Sequence, residues 1–179
     1  MEFRSERCRA FSEYWWSLNR EVPDGIPTRS MIDPSRIKPL LPYLLLHDLA
    51  EPGRSMIRLV GTAITQRIGF DPTGRDYLEL VNESRRQSAY RQLITIAEHP
   101  CGMRNINQVR YKSGKHTTSE AVGFPLRHAR DGTPMLLFVD DPIEPPEYDL
   151  DPRAQEVDVF KLAEREYIDV GFGVPNLVD

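Results

Sequence analysis

The sequence predicts a single α+β domain in which two strands, a helical stretch and a three-strand meander follow one another. Two strand-like segments, 43–49 and 55–61, are separated by so short a turn that they must be antiparallel neighbours. Three more, at 103–112, 117–126 and 134–140, are separated by glycine-containing turns that are typical of hairpins. Between the two groups the apolar residues follow the helical period, and the sequence contains no internal repeat and no second core.

The first helix is predicted over residues 9–22, where apolar side chains recur at the spacing of one helix face. Its apolar stripe consists of Phe11, Trp15, Leu18 and Val22. Pro23 ends this helix. Asp33 and Pro34 then supply an N-cap and a proline at the first helical position, so a short helical segment is expected up to Leu41.

Two helical segments are predicted between the strand groups. Residues 62–68 have room for one or two turns, and the stretch that follows up to Tyr77 is rich in turn residues. A longer helix is predicted over 83–99, and Pro100 ends it. One face of this helix carries Tyr90, Leu93, Ile94 and Ala97.

Residues 142–179 are predicted to form an acidic extension that docks on the domain or on a second subunit. Residues 140–179 hold 12 acidic and 3 basic side chains, a net charge of −9 against +5 for the rest of the chain. Prolines interrupt the first part of the extension, and a helix is expected around Val157 to Tyr167. Its end is too apolar for a fully solvated tail, since it contains Tyr167, Ile168, Val170, Phe172 and Val174.

Composition excludes several classes of protein. With 179 residues, 20.6 kDa and 40% apolar residues, the chain can bury a core of its own. Its longest apolar stretch, Leu40 to Leu46, is far too short to cross a bilayer, and its start lacks the apolar segment of a secretory signal. The overall charge is −4 and the acidic residues gather at the end, which argues against nucleic acid as a partner. We therefore expect a cytoplasmic protein that binds neither membranes nor nucleic acid.

No catalytic or metal-ligating residue is predicted. The four histidines are isolated in the sequence, and the two cysteines, Cys8 and Cys101, have neither metal-site nor disulfide spacing. His99 and Cys101 stand on either side of Pro100, where a Cys–His dyad is poorly placed. A buried thiol beneath the end of the helix is the favoured interpretation of Cys101.

Several short motifs occur in a characteristic order. The first helix contains Phe11-x-x-Tyr14-Trp15, and Pro27-x-Arg29 follows it. The second strand ends in Arg58-Leu59-Val60-Gly61-Thr62, and Asp71-Pro72-Thr73-Gly74-Arg75 forms the next turn. A final motif covers 167–175. In this order the motifs resemble the PAS domain, and in particular a family of stand-alone alphaproteobacterial PAS proteins formerly described as a domain of unknown function.

The resemblance implies a five-stranded antiparallel sheet in the order 2-1-5-4-3 with helices on one face. The domain itself would span 27–141, after an N-terminal helix within 1–26 and before the extension at 142–179. PAS domains generally sense ligands or mediate protein association. The resemblance therefore implies a non-enzymatic bacterial regulatory protein that passes its signal to a signalling partner by direct contact. A structural dimerising adaptor with a filled core, and a small enzyme working in the cavity, stay open as alternatives.

A cavity between the sheet and the helices is also implied, and it would hold a small organic ligand. Its expected lining residues are Ile64, Ile68, Tyr77, Leu78, Tyr90 and Ile94 from the helical side, and Val109, Tyr111, Val122 and Phe124 from the strands. A filled core is the favoured interpretation of these side chains. No cofactor is expected, because the turn Gly69-Phe70-Asp71-Pro72 does not resemble the cysteine motif of flavin photosensors. His99, in the last turn of its helix, is expected to face solvent rather than to bind haem.

A homodimer is predicted through the first helix. Trp16 lies about 100° round the helix from Trp15, beyond the centre of the apolar stripe. Phe3 lies in an otherwise charged start of the chain. Tryptophan is enriched among interface anchors, and PAS domains commonly pair through the helix that precedes their core. Packing of Trp16 within its own chain is the alternative, because apolar helix faces are often wider than this stripe.

Overall fold

The computed structural model describes residues 2–144 and 157–175. The α-helices in these ranges are α1 (Glu6–Asn19), α2 (Thr62–Ile68), α3 (Tyr77–Leu80) and α4 (Arg86–Glu98). Shorter 3-10 segments lie at Arg29–Met31, Pro34–Tyr43 and Glu83–Arg85. The strands are β1 (Leu44–Asp48), β2 (Met56–Val60), β3 (Cys101–Tyr111), β4 (His116–Arg127), β5 (Pro134–Pro142) and β6 (Val157–Asp169). No helix in the described ranges is both long and apolar enough to cross a membrane.

The strands form one antiparallel sheet in the order β2-β1-β5-β4-β3-β6. The predicted order of the first five strands is confirmed, and β6 adds a sixth strand beside β3. Gly114, with a φ of +84°, forms the turn between β3 and β4, which is the backbone conformation that a tight hairpin needs. The helical stretch from α2 to α4 connects the two strands of one half of the sheet to the meander of the other.

The helix predicted around Val157 to Tyr167 is wrong, because these residues form most of β6. This strand pairs with β3 from Tyr111 opposite Val157 to Cys101 opposite Asp169. Leu162 and Glu164 lie opposite adjacent residues of β3, so the intervening Ala163 is a β-bulge. The bulge interrupts the alternation of inward and outward residues along β6. The apolar residues of this segment are therefore spaced as they would be in a helix.

α1 begins earlier than predicted because Ser5 caps it. The Ser5 Oγ accepts hydrogen bonds from the backbone N–H groups of Arg7 and Cys8, each at 3.1 Å. The same hydroxyl donates to Asp141 Oδ2 on β5 at 2.7 Å. The cap therefore fixes the start of the helix against the sheet as well as against its own first turn.

α1 covers one side of the sheet, which we call the α1 face. The Trp15 ring stacks on Phe124 of β4, with centroids 4.7 Å apart, and its Nε1–H donates to the Pro125 carbonyl at 3.0 Å. Phe11 meets Phe124 edge-on at 5.9 Å. Phe11 and Trp15 are fully buried, and burial of a side chain of this kind contributes about 1.5–3 kcal/mol. Phe11, Trp15 and Leu18 of the predicted stripe thus form the contact between α1 and the sheet, whereas Val22 lies beyond the end of the helix at Asn19.

α2, α3 and α4 lie over the opposite side, which we call the helical face. Its apolar core contains Leu93 and Ile96 of α4 together with Met103, Leu136 and Phe138 of the sheet. Tyr77 and Ile94 are half-buried against this core. The sheet therefore separates two cores, and the space between sheet and helices lies on the helical face.

Candidate functional site

Strand register places a set of side chains on the helical face. Opposed residues of antiparallel strands point to the same side of a sheet. Leu45 lies opposite Phe138, and His47 lies opposite Leu136. Because Phe138 and Leu136 belong to the core under α4, both β1 residues face the helices as well.

His47 is an aromatic and polar centre of this face. Its ring meets Tyr77 edge-on at 5.1 Å and Phe138 at 5.6 Å. Its Nδ1 forms a hydrogen bond of 2.9 Å with Ser55 Oγ. Burial lowers the pKa of His47 to about 4, because the imidazolium would lose its hydration, and burial raises the pKa of the Tyr77 phenol. Both rings are therefore neutral at physiological pH.

Phe138 and Gly123 are in close contact across β5 and β4. A Cβ atom on Gly123 would lie 2.1 Å from Phe138 Cε1, far inside van der Waals distance. The missing side chain lets the Phe138 ring lie against the backbone of β4. This part of the space between sheet and helices is consequently filled by an aromatic ring.

A row of polar residues crosses the sheet next to this ring. Asp140 lies opposite Ala121, Ala121 opposite Asn105, and Asn105 opposite Arg165. Arg165 Nε donates to Asn105 Oδ1 at 3.3 Å, and its Nη2 donates to Gln92 Oε1 of α4 at 2.8 Å. We call Asp140, Asn105 and Arg165, with the neighbouring Asn107, the polar row.

The carboxylate at one end of the polar row is held by a buried arginine. Arg67 of α2 donates through Nη2 to Asp140 Oδ2 at 2.7 Å. The side chains of Arg67 and Asp140 are 8% and 21% exposed, so the pair is largely removed from water. Arg67 is thus a link between α2 and β5.

Two oxygen atoms of the polar row are buried without a hydrogen-bond partner among the described residues. They are Asn107 Oδ1 and Asp140 Oδ1. Asn107 as a whole is only 7% exposed. Buried polar atoms in folded proteins are almost always paired, and an unpaired one costs about 1–3 kcal/mol. Both atoms are hydrogen-bond acceptors, so a molecule that satisfies them must present donors.

The predicted lining residues of the helical side occupy two different places. Tyr77 and Ile94 lie against the core of the helical face. Ile64 is buried and Ile68 half-buried on α2. Leu78 and Tyr90 instead border an open surface groove of about 360 Å³ that also contains Gly53, Asp76, Glu79, Arg86 and Gln87. The Tyr90 hydroxyl accepts a hydrogen bond from the Gly53 N–H at 2.8 Å beside that groove.

The predicted strand residues divide between the two faces of the sheet. Val109 lies two residues from Asn107 on β3 and shares its face, and Tyr111 is buried at the end of that strand. Val122 and Phe124 are in the core beneath α1, so their assignment to the cavity is corrected. They flank Gly123, and strand alternation sends them away from the helices once Gly123 faces Phe138.

The polar row was not predicted from the sequence. Asn105 and Asn107 alternate with buried Ile106 on β3, and this spacing of amide side chains was the available signal. The spacing of residues 157–167 predicts a helix, so it does not indicate that Arg165 lies beside Asn105. Arg67 and Asp140 are 73 positions apart, so no local pattern brings them together.

Neither cysteine is a reactive nucleophile in this arrangement. Cys8 and Cys101 are free and buried, and burial raises the pKa of both thiols, that of Cys101 to about 12. His99, expected to face solvent, is half-buried with its Nε2 beside Gly173. That position is set by the contact between the end of α4 and the turn after β6.

The candidate dimer residues touch the core of their own chain. Phe3 and Trp16 are half-buried against the residues of the α1 face. The Trp16 ring meets Trp15 edge-on at 5.6 Å. Each therefore has one side packed within the chain and one side open to solvent.

The comparisons with known proteins give a family and a set of similar folds. The family model described as PAS domain matches residues 3–138. No curated protein is significantly similar to the chain. A light-oxygen-voltage domain studied with a flavin analogue has 15% identity and a TM-score of 0.46, over 62% of this chain and 86% of its own.

Two further solved structures have similar scores. The Vibrio cholerae VqmA dimer has 17% identity and a TM-score of 0.48, over 62% of this chain, and the chain spans only 51% of VqmA. The LOV domain of the Erythrobacter litoralis EL346 blue-light activated histidine kinase has 14% identity and a TM-score of 0.41, over 55% of this chain and 93% of that domain.

Proposed function

The chain belongs to the PAS domain family, and we propose that it is a non-enzymatic regulatory domain that binds a small organic ligand on its helical face. The bound ligand changes how the domain contacts a signalling protein or a second copy of the chain. Sensory or regulatory function is what the family membership supports, and the ligand and the partner are the parts we propose.

The polar row is the observation that carries this proposal. Buried charges are costly, and an apolar residue of similar volume often stabilises a core as well or better. Arg67 and Asp140 nevertheless form a largely buried ion pair between α2 and β5, and Asn107 is buried on the same face of the sheet. Polar groups in such a place are typical of ligand pockets, in which a few of them orient the bound molecule.

For the enzymatic alternative, His47 and Ser55 are a candidate pair among the described residues. These two side chains share the hydrogen bond that a nucleophile and its base require. Their exposures are 2% and 0%, so a substrate has no access to the hydroxyl in this conformation. We therefore assign the pair a structural role in holding β1 to the turn before β2.

A homodimer through Phe3 and Trp16 is the form in which we propose that the domain acts. Both side chains retain a solvent-facing side next to the apolar α1 face. An interface formed by Phe3 and Trp16 would be continuous with the core of the α1 face. A two-fold arrangement would place these two residues against the same residues of the second copy. Ligand-dependent shifts of the sheet would reach this interface through α1.

Native mass spectrometry of the protein purified from its own host tests the proposal. We expect a small molecule to be retained by the wild-type protein and by Gln108→Leu, whose side chain is exposed. We expect it to be lost from Asn107→Leu. An empty protein in every sample, with a well-ordered core, would support the adaptor function instead. Chemical conversion of the retained molecule would support the enzyme.

A further inference from the structure

The unpaired acceptors of the polar row define what the ligand must offer. Asn107 Oδ1 and Asp140 Oδ1 are both buried and both lack a donor among the described residues. Asn107 and Asn105 are two positions apart on β3, and Asn105 is in one row with Asp140, so all three side chains point to the helical face. The two oxygens thus lie on the same face of the sheet.

Strand geometry gives the approximate distance between the Cα atoms of the two residues that carry the acceptors. Asn107 and Asp140 are on strands separated by β4, and their rows differ by two residues. Strand spacing and rise per residue place their Cα atoms about 12 Å apart. A ligand with one donor at each end of a single aromatic ring has the length to reach both, since each hydrogen bond adds about 2.9 Å.

Charge at the polar row restricts the ligand further. Arg67 already pairs with the Asp140 carboxylate, so the site does not require a cation for neutrality. Arg165 lies at the far end of the row and adds a second guanidinium. An anionic ligand would present acceptors to two oxygens that need donors. A neutral molecule with donors satisfies both oxygens and adds no charge to the site.

Resting on the proposed function, we infer that the ligand is a small neutral compound with N–H or O–H donors at opposite ends, bound by Asn107 Oδ1 and Asp140 Oδ1. The apolar middle of this compound lies against the aromatic side chains of the helical face, Tyr77 and Phe138. The rival explanation is that ordered water satisfies both oxygens.

A pair of matched probes tests this inference by NMR titration of the ¹⁵N-labelled protein. 4-Hydroxybenzamide has a donor at each end of one ring, and 4-fluoroacetophenone has nearly the same size and shape without donors. We expect the first to bind with shifts at the Asn107 side-chain amide and at the backbone of residues 105–107 and 140. We expect the second to bind at least tenfold more weakly.

Variants locate the binding. Asn107→Leu and Asp140→Leu should each weaken 4-hydroxybenzamide at least tenfold, and Gln108→Leu should leave its affinity unchanged. Asn107→Asp, which keeps the acceptor and the volume, should retain binding and serves if Asn107→Leu does not fold. The comparison of the two probes needs no variant at all.

Other outcomes separate failure of the inference from failure of the proposed function. Equal binding of the two probes, or a retained natural ligand without donors, overturns the inference and leaves ligand binding standing. Binding of neither probe, with water at both oxygens in a crystal structure and no retained molecule in native mass spectrometry, overturns both.

Discussion

Arg104 Nε donates to Glu120 Oε1 at 2.5 Å, and the two side chains are 3% and 0% exposed beneath the start of α1. The other carboxylate oxygen accepts from the Ser5 N–H at 2.6 Å. Cys8 Sγ lies 3.3 Å from the Glu120 carbonyl oxygen. This pair therefore connects β3 and β4 to the first residues of α1, on the side of the sheet opposite the polar row.

Glu120→Ala should strongly destabilise the domain, because the buried Arg104 guanidinium loses its buried partner and keeps only the half-exposed carboxylates of Glu164 and Glu166, 3.6 and 3.5 Å away. Removing one partner of a buried ion pair costs about 3–5 kcal/mol. Urea denaturation measures the change in the free energy of unfolding. The double variant Arg104→Met with Glu120→Leu should recover most of the lost free energy of unfolding, since neither charge of this pair then remains buried.

Glu6→Ala is the matched control for the ion pair, because Glu6 pairs with Arg9 on the exposed side of α1. Exposed pairs contribute little, so the unfolding curve should not move. An equal loss of unfolding free energy in Glu6→Ala and Glu120→Ala would show that burial does not decide how much an ion pair contributes.

Gly123→Ala should destabilise the sheet through overpacking, because its Cβ would overlap the Phe138 ring. Overpacking in a core typically costs about 1–3 kcal/mol. The variant Phe138→Leu makes room, so the double variant should be more stable than the sum of the single changes predicts. Thermal unfolding of all three variants measures the coupling. Strictly additive effects would show that the ring does not occupy that space.

The stability of the domain should fall as the pH drops from about 6.5 to about 4, because His47 is neutral when folded. Its folded pKa lies below its unfolded pKa, so the unfolded chain binds more protons in this window. The free energy of unfolding should fall by about 3 kcal/mol between these two pH values. Denaturant unfolding at a series of pH values measures it.

His47→Phe should flatten the pH dependence between those limits, because phenylalanine fills a similar volume without titrating. His116→Gln, at an exposed position, should leave the dependence unchanged. The pKa values of Asp33, Asp71, Asp131 and Asp169 are lowered by hydrogen bonds to their carboxylates, so their effects lie below this window. If the free energy of unfolding of His47→Phe still falls between pH 6.5 and about 4, His47 is not the source of the pH dependence.

Truncation after residue 144 should lower the melting temperature, because it removes β6 and leaves the edge of β3 unpaired. That edge is 11 residues long, and an exposed strand edge also promotes aggregation. Differential scanning calorimetry and light scattering measure the two effects. Truncation after residue 175 keeps β6 and should behave like the wild type. Identical melting curves for the two truncations would show that β6 contributes nothing to stability.

Trp16→Ala should convert a homodimer to a monomer while the fold stays intact, because it removes the apolar surface that α1 leaves open. Multi-angle light scattering measures the mass, and circular dichroism checks the fold. Glu13→Ala, on the exposed side of the same helix, should keep the dimer. A wild-type protein that is monomeric at tens of micromolar rules out this interface, and unfolding of Trp16→Ala would place the residue in the core.

Local patterns in the sequence determined the elements and most of the sheet. The stripe of Phe11, Trp15 and Leu18 predicted the buried side of α1, because helical periodicity is a property of consecutive residues. Short turns predicted which strands are antiparallel neighbours, since parallel pairing needs a crossover of a dozen or more residues. The motifs around Gly61 and Gly74 then gave the family and, with it, the strand order.

Only the tertiary structure decided which face of each strand meets which helix. Alternation states that Val122 and Phe124 share a face, but the choice of face depended on the Phe138 ring over Gly123, contributed by another strand. Strand β6 pairs across a bulge with residues far away in the chain, so its local spacing misled. Pairing of distant segments places Asn107 and Asp140 on one face of the sheet and brings Arg67 to Asp140. Burial, which makes the unpaired oxygens of Asn107 and Asp140 informative, exists only in the folded chain.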